Sequence, residues 1–205
     1  NFENQMSLKI VFMGTPEFAI PSLNILKQSK HKIVCVYTQP PKKKSRGQKI
    51  LKTAVHVFSE KEGIKVRTNQ LKDGKVYDEF MGLQADLVVV IAYGKIIPEN
   101  YLKNSNLIFL NVHASLLPKW RGAAPIQRSI MNLDRETGIS IMKINENLDE
   151  GPVCNQYSLN ISEKINSEEL SEKLSVIASE KILDILDNIY DGNIEFKDQD
   201  HSKAT

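Results

Sequence analysis

Leu107-Ile108-Phe109-Leu110-Asn111-Val112-His113-Ala114-Ser115-Leu116-Leu117-Pro118 is the stretch on which the reading of this chain turns. A run of large apolar residues without alternation reads as a strand buried on both faces, as in the centre of a parallel sheet. Side chains two apart on a strand point the same way. Asn111 and His113 are therefore expected to project together where the strand stops. In open α/β sheets, ligands sit at the carboxyl ends of strands. An amide donor beside an imidazole can hold an oxygen that turns negative during acyl transfer. Each residue also has a plainer reading, since Asn suits the end of a strand and a lone buried His is commonly structural. The signal lies in the pair, followed as it is by Ser115-Leu116-Leu117-Pro118 and Trp120-Arg121-Gly122.

Outward from this strand, the pattern alternates. Leu8–Met13 reads as a strand, with Thr15 as a cap and Pro16 as the first residue of a helix over 17–29. Ile33–Tyr37 reads as a strand and 38–49 as a polar loop. Residues 51–61 read as helix, 64–66 as a short strand and 73–81 as helix. Residues 85–92 form a second doubly buried strand, and 124–131 a helix starting near Pro125. Residues 138–144 alternate like a half-buried edge strand, and 153–161 resemble its partner. Residues 167–191 carry one apolar helical stripe of Leu170, Leu174, Ile177, Ile182, Ile185, Leu186 and Ile189. The class is α/β, a mostly parallel open sheet with helices on both faces, in which the last two strands leave the parallel pattern.

Composition sets the bounds. The 205 residues are 41% hydrophobic and 25% charged, ordinary for a soluble globular chain. No apolar stretch approaches membrane-span length, so no membrane partner is expected. Asn1–Gln5 is polar without a signal-peptide pattern, and Met6 reads as a natural start. Two distant cysteines, Cys35 and Cys154, suit a reducing compartment, taken as the cytoplasm. The four histidines show no metal-ligand spacing, so no metal is expected. Residues 6–191 read as one domain and 192–205, polar and unpatterned, as a linker. Charge is uneven: residues 163–200 hold eleven acids and four bases, while 1–162 hold fourteen acids and twenty-two bases. A basic catalytic part points to a polyanionic partner, although a solvated acidic helix face explains the tail equally well.

Three further segments carry weight. The first loop, Gly14-Thr15-Pro16-Glu17, is neither a Gly-x-Gly-x-x-Gly nor a Walker-type loop, which counts against dinucleotide and phosphate-loop functions. Asn147-Leu148-Asp149-Glu150-Gly151 joins two strand candidates. It reads either as a plain hairpin turn or as the loop that faces Asp149 toward His113, where a carboxylate would orient the ring and favour its charged form. Lys42, Lys43, Lys44, Arg46, Lys49 and Lys52 place six bases in eleven residues without an acid. They form either a solvated loop or a phosphate-binding arm.

Taken together, Val11–Ala19, Tyr37-Thr38-Gln39-Pro40, Ala92-Tyr93-Gly94-Lys95-Ile96-Ile97-Pro98, Asn111–Ile126 and Leu148-Asp149-Glu150-Gly151 resemble the N-terminal catalytic domain of the methionyl-tRNA formyltransferases. The likeness runs from about Ser7 to Thr205. The Asn-x-His, Ser-Leu-Leu-Pro and Asp elements resemble all formyltetrahydrofolate-using formyltransferases. The Gly-Thr-Pro-Glu-Phe opening and the Trp-Arg-Gly-Ala-Ala-Pro-Ile stretch look particular to the tRNA branch.

This resemblance implies a Rossmann-like formyltransferase fold. It implies 10-formyltetrahydrofolate as formyl donor and the α-amino group of initiator methionyl-tRNA as acceptor; separately, a monomer is expected. Asn111, His113 and Asp149 would be catalytic. Tyr93, Gly94, Ile96, Ile97, Ser115, Leu116, Leu117 and Pro118 would border the folate. Lys42, Lys43, Lys44, Arg46 and Lys49 would touch tRNA. The linker 192–205 would lead to an OB-type domain.

Two positions depart from the family pattern. Asn147 stands for the usual Gly and is expected to take its left-handed turn. Glu150 stands for the usual Thr and brings a second charge beside Asp149. Related readings share the trio. A sugar-nucleotide formyltransferase needs no basic arm, and a formyltetrahydrofolate hydrolase uses water as acceptor. A nucleotide-dependent oxidoreductase is disfavoured by the missing glycine fingerprint, and an RNA-binding module would leave Asn111 and His113 idle.

Overall fold

The computed structural model describes residues 7–43, 50–104 and 106–205. The chain divides into two compact units, Asn1–Ile108 and Phe109–Thr205.

The first unit is built on four parallel strands in the order β5-β2-β1-β6: β1 (Lys9–Gly14), β2 (Lys32–Tyr37), β5 (Val66–Arg67) and β6 (Leu87–Ile91). β6 is buried at all five residues and β1 at all but its first, as uninterrupted apolar runs require. Helices α1 (Ile20–Gln28), α2 (Ala54–Lys61) and α3 (Gly74–Met81) connect them, and the short α4 (Glu99–Leu102) follows β6. Thr53 caps α2 by accepting from the His56 N–H at 3.1 Å, and Asp73 caps α3 by accepting from Lys75 at 2.8 Å. The Phe80 ring lies 4.9 Å from that of Tyr101 and 5.9 Å from that of Tyr37, tying α3 to α4 and β2.

Two expectations are corrected here. The helix over 17–29 is a 3-10 turn at Glu17–Ala19 followed by α1, and its start is not capped by Thr15. The Thr15 hydroxyl instead donates to the Tyr93 carbonyl at 2.8 Å. The polar loop 38–49 contains β3 (Lys42–Lys43), which pairs antiparallel with β4 (Ile50–Leu51), so Leu51 belongs to a strand and not to α2.

The second unit holds three strands in the order β7-β8-β9: β7 (Ile108–His113), β8 (Glu136–Lys143) and β9 (Val153–Asn160), with both pairings antiparallel. The departure from the parallel pattern is thus where the alternation of 138–144 and 153–161 places it. The edge role of 138–144 is not observed. β8 is buried from Thr137 to Met142, between β7 and β9.

Helix α5 (Pro125–Met131) starts at Pro125, as expected. Helix α6 (Ser167–Tyr190) opens on a capping box in which Asn166 and Glu169 exchange hydrogen bonds. Its buried apolar stripe is Leu170, Leu174, Ala178, Ile182, Ile185 and Leu186, with Ala178 in the place expected for Ile177 and Ile189 only half-buried. Among the described residues, no helix is long and apolar enough to cross a membrane.

Candidate active site

β7 brings Asn111 and His113 to one face at its carboxyl end, half-buried and buried respectively. The His113 Nε2 lies 2.8 Å from the Trp120 carbonyl oxygen. A carbonyl only accepts, so Nε2 carries a hydrogen and the tautomer is fixed. The opposite ring edge faces Asp149, with Nδ1 at 3.6 Å from Oδ2, and both side chains are largely shielded from solvent. That separation exceeds a hydrogen bond. The Nδ1 edge is therefore under the carboxylate's field while its own bonding capacity remains open to a substrate atom.

The backbone around this pair is unusual. Trp120, Ala124 and Asp149 are non-glycine residues with φ of 56°, 57° and 52°. Such conformations persist only where surroundings over-determine them, and they gather at functional sites. For Asp149 the surroundings are identifiable: its Oδ2 accepts from the Gly122 N–H at 2.8 Å, and its carbonyl accepts from Gln199 Nε2 at 2.8 Å.

The two departures from the family pattern resolve differently from expectation. Asn147 is not among the positive-φ residues. It closes a small turn by donating its N–H to Asn145 Oδ1, and the left-handed residue is Asp149 itself. Glu150 turns its carboxylate to Arg121, with Oε1 at 3.3 Å from Nη1, so its charge is met away from Asp149.

Trp120 is anchored by its indole N–H, which donates to Asp134 Oδ2 at 2.7 Å, and it lies beneath the Lys119 and Arg128 cations at 5.5 and 5.6 Å. Burial opposes ionisation of Asp134, but hydrogen bonds from Lys119, Asn132 and Trp120 outweigh it and hold the carboxyl below its ordinary value. A depressed carboxylate contributes stability that is present above the unfolded value of roughly 3.9 and lost as pH falls through the lower folded value. Trp120 is the chain's single tryptophan. Its emission is therefore expected to shift below about pH 4, and Asp134→Asn is expected to remove that step. An unchanged titration in the variant contradicts the assignment.

The Ser115–Pro118 loop is held from within. Ser115 is fully buried, its hydroxyl donating to the Lys119 carbonyl. Ser140 in β8 accepts from the Leu117 N–H at 2.9 Å and donates to the Ser115 carbonyl at 2.7 Å. Leu117 is buried, and Leu116 and Pro118 are half-exposed. A cleft of about 330 Å3 opens beside Leu117 and Pro118, walled by Val153–Gln156 and Lys197–Asp200.

In the first unit, three of the quoted motifs meet. Gln39 Nε2 donates to the Tyr93 and Gly94 carbonyls at 3.1 and 3.2 Å, while Thr15 also donates to Tyr93. Gly94 has φ 73°, and a Cβ there would sit 2.3 Å from Gln39 Nε2. The Tyr93 ring is buried, which pushes its hydroxyl up to about 12. Ile97 is buried and Ile96 is 85% exposed.

Of the basic run, Lys42 and Lys43 are exposed on β3, and Lys52 pairs with Glu60 at 2.7 Å. Lys44, Arg46 and Lys49 lie outside the described residues. Among the described residues, no group of three His, Cys, Asp or Glu is placed to hold a metal ion.

Sequence reasoning did not single out the Trp120 carbonyl, the Gly122 N–H, Gln39 or Gln199, and it gave Thr15 a capping role in place of its bond to Tyr93. All but Gln199 sit inside the motifs named above, where only the folded geometry reveals their roles. Gln199 carries no signal in the sequence at all.

The Formyl transferase family profile matches residues 8–186. The chain is 54% identical over 202 residues to the methionyl-tRNA formyltransferase of Pelagibacter ubique (strain HTCC1062), covering 98% of this chain and 65% of that protein. It is 44% identical over 201 residues to that of Coxiella burnetii (strain RSA 331 / Henzerling II), covering 98% and 64%. The chain thus spans just under two thirds of the length of these relatives. An N-formyltransferase from Helicobacter canadensis, solved in complex with folinic acid and dTDP-3-aminofucose, superposes with a TM-score of 0.73 at 19% identity, covering 97% of this chain and 70% of that one.

Proposed function

We propose that this chain, which belongs to the formyl transferase family, moves a formyl group from 10-formyltetrahydrofolate to the α-amino group of initiator methionyl-tRNA. The observation that carries the reading is the 54% identity over 98% of the chain to a protein named for that reaction. A folate donor is supported by the folinic acid in the Helicobacter canadensis structure. The cysteines are free thiols, consistent with work in the cytoplasm.

In this proposal, Asn111 donates its amide hydrogen to the formyl oxygen as the neutral amine attacks the formyl carbon. His113 presents its Nδ1 edge to the same developing charge, because its Nε2–H is taken by Trp120. Asp149 holds the ring in place and balances the positive charge it carries during the step. The bond between the formyl carbon and the folate nitrogen breaks, and the proton lost by the amine ends on that nitrogen. Leu116 and Pro118 would border the folate, with Ser115 and Leu117 shaping the loop behind them. The family resemblance extends the proposed folate contacts to Tyr93, Gly94, Ile96 and Ile97. Lys42 and Lys43, with Lys44, Arg46 and Lys49, would meet the tRNA phosphates.

The test supplies labelled 10-formyltetrahydrofolate and, separately, methionyl-tRNA, an amino-sugar nucleotide and buffer. Label is expected on methionyl-tRNA, with negligible transfer to the sugar and negligible hydrolysis. Transfer to the sugar or to water at a comparable rate contradicts the acceptor assignment.

A further inference from the structure

We propose that Gln199 is a positioning residue that holds the Asp149 loop in the conformation the reaction uses; this rests on the role proposed for Asp149 above. Gln199 is 8% exposed. Its Nε2 donates to two carbonyls of the loop, Asp149 and Gly151, each at 2.8 Å. Its Oε1 accepts from Arg121 Nε at 3.1 Å and Nη2 at 2.9 Å. Carbonyls only accept and a guanidinium only donates, so the amide orientation is fixed by its partners. All four bonding positions of the side chain are used. A carboxylate lacks the donors, and an ammonium lacks the acceptor.

The arrangement closes a ring around the loop. Arg121 also meets Glu150 at 3.3 Å, so Gln199 and Arg121 together grip three consecutive residues: Asp149, Glu150 and Gly151. Asp149 sits at φ 52°, a left-handed conformation that costs an aspartate more than a glycine. Fixing its carbonyl fixes the direction of its side chain toward His113 and Gly122.

Gln199 is itself held. Lys197 exchanges backbone hydrogen bonds with Val153 at 2.8 and 2.9 Å, and Thr205 receives the Trp120 and Arg121 N–H groups at 2.9 and 3.1 Å. Lys197–Thr205 thus forms a strap across the loops that carry Asp149 and Trp120.

The test uses Gln199→Met, which keeps the shape without donors, and Gln199→Glu, which keeps an acceptor for Arg121 but loses both donors. The first readout is amide hydrogen exchange at Gly122, whose N–H is bound by the Asp149 carboxylate. Both variants are expected to raise it about tenfold, the worth of one hydrogen bond, while β8 amides stay unchanged. The second readout is turnover. kcat is expected to fall about tenfold or more with KM for donor and acceptor within about twofold, as for a misplaced catalytic group. Unchanged exchange at Gly122, or parent-like exchange in Gln199→Glu, overturns the proposal. A parent protein that formylates no acceptor defeats the function proposed above, while the exchange result still decides the role of Gln199.

Discussion

Replacing His113 with alanine is expected to lower formyl transfer by about 10²–10³-fold, and replacing Asn111 with alanine by a similar factor. The size follows from what each side chain supplies. An oxygen that gains charge in a shielded site depends on donors already in place, and losing one costs roughly 2.7–4 kcal/mol of transition-state stabilisation. His113 is 7% exposed and ring-locked between Trp120 and Asp149, so its hydrogen arrives without reorganisation. The fold is expected to survive, since β7 is held by its ladder to β8 from Leu110 to His113 and not by these side chains. Single-turnover transfer, with thermal unfolding measured on the same samples, checks this. Near-parent rates in either folded variant contradict the assignment.

The second large effect is structural. A Cβ at Gly151 would lie 1.8 Å from the Lys143 carbonyl oxygen and 3.0 Å from Met142 Cε. The obstruction is backbone, so no rotamer change relieves it, and β8 must part from the start of β9, where Lys143 N–H bonds the Pro152 carbonyl at 2.9 Å. Gly151→Ala is expected to cost about 3 kcal/mol, the upper end of the range for overpacking. For a chain of this size, that lowers Tm by roughly 6–12 °C. It also shifts the Gly151 carbonyl away from Gln199 and so disturbs the Asp149 loop. Gly74→Ala is the control, because nothing lies within 4 Å of its Cβ position in the first turn of α3. There a neutral or slightly raised Tm is expected. Equal melting points for Gly151→Ala and the parent contradict this account of the loop.

These two residues show what the sequence makes legible. The glycine after Asp149-Glu150 is readable as a turn, but the reason for it is not. It is required by close approach to Lys143, and the left-handed conformation falls on Asp149. The strands β1, β6 and β7 are legible because continuous apolar runs of that length have few other uses. The same rule misplaces β8. Ser140 looks solvent-facing by its alternation with Ile139 and Ile141, yet it is buried, and it is compensated by bonds to Leu117, Ser115 and Gln156. Polar residues satisfied by loops from elsewhere in the chain leave no periodic trace. The strap at Lys197–Thr205 is hidden for the same reason, being held by hydrogen bonds and without an apolar stripe. The shared face of Asn111 and His113 is legible from strand spacing, whereas the turn holding Asp149 admits a plain hairpin equally well, and the tautomer-fixing carbonyl of Trp120 depends on a φ of 56° that no residue pattern encodes.

The central claim is that Asp149 acts on the reaction through His113 and not on its own. Asp149→Asn keeps an oxygen to accept from Gly122 while removing the charge, so the loop is expected to stay in place. The deciding measurement is the single-turnover rate of formyl transfer in His113→Ala, Asp149→Asn and the double variant. The account predicts that the double variant is no slower than the slower single variant. Losses that multiply, each substitution lowering the rate by its own full factor in the presence of the other, would contradict it.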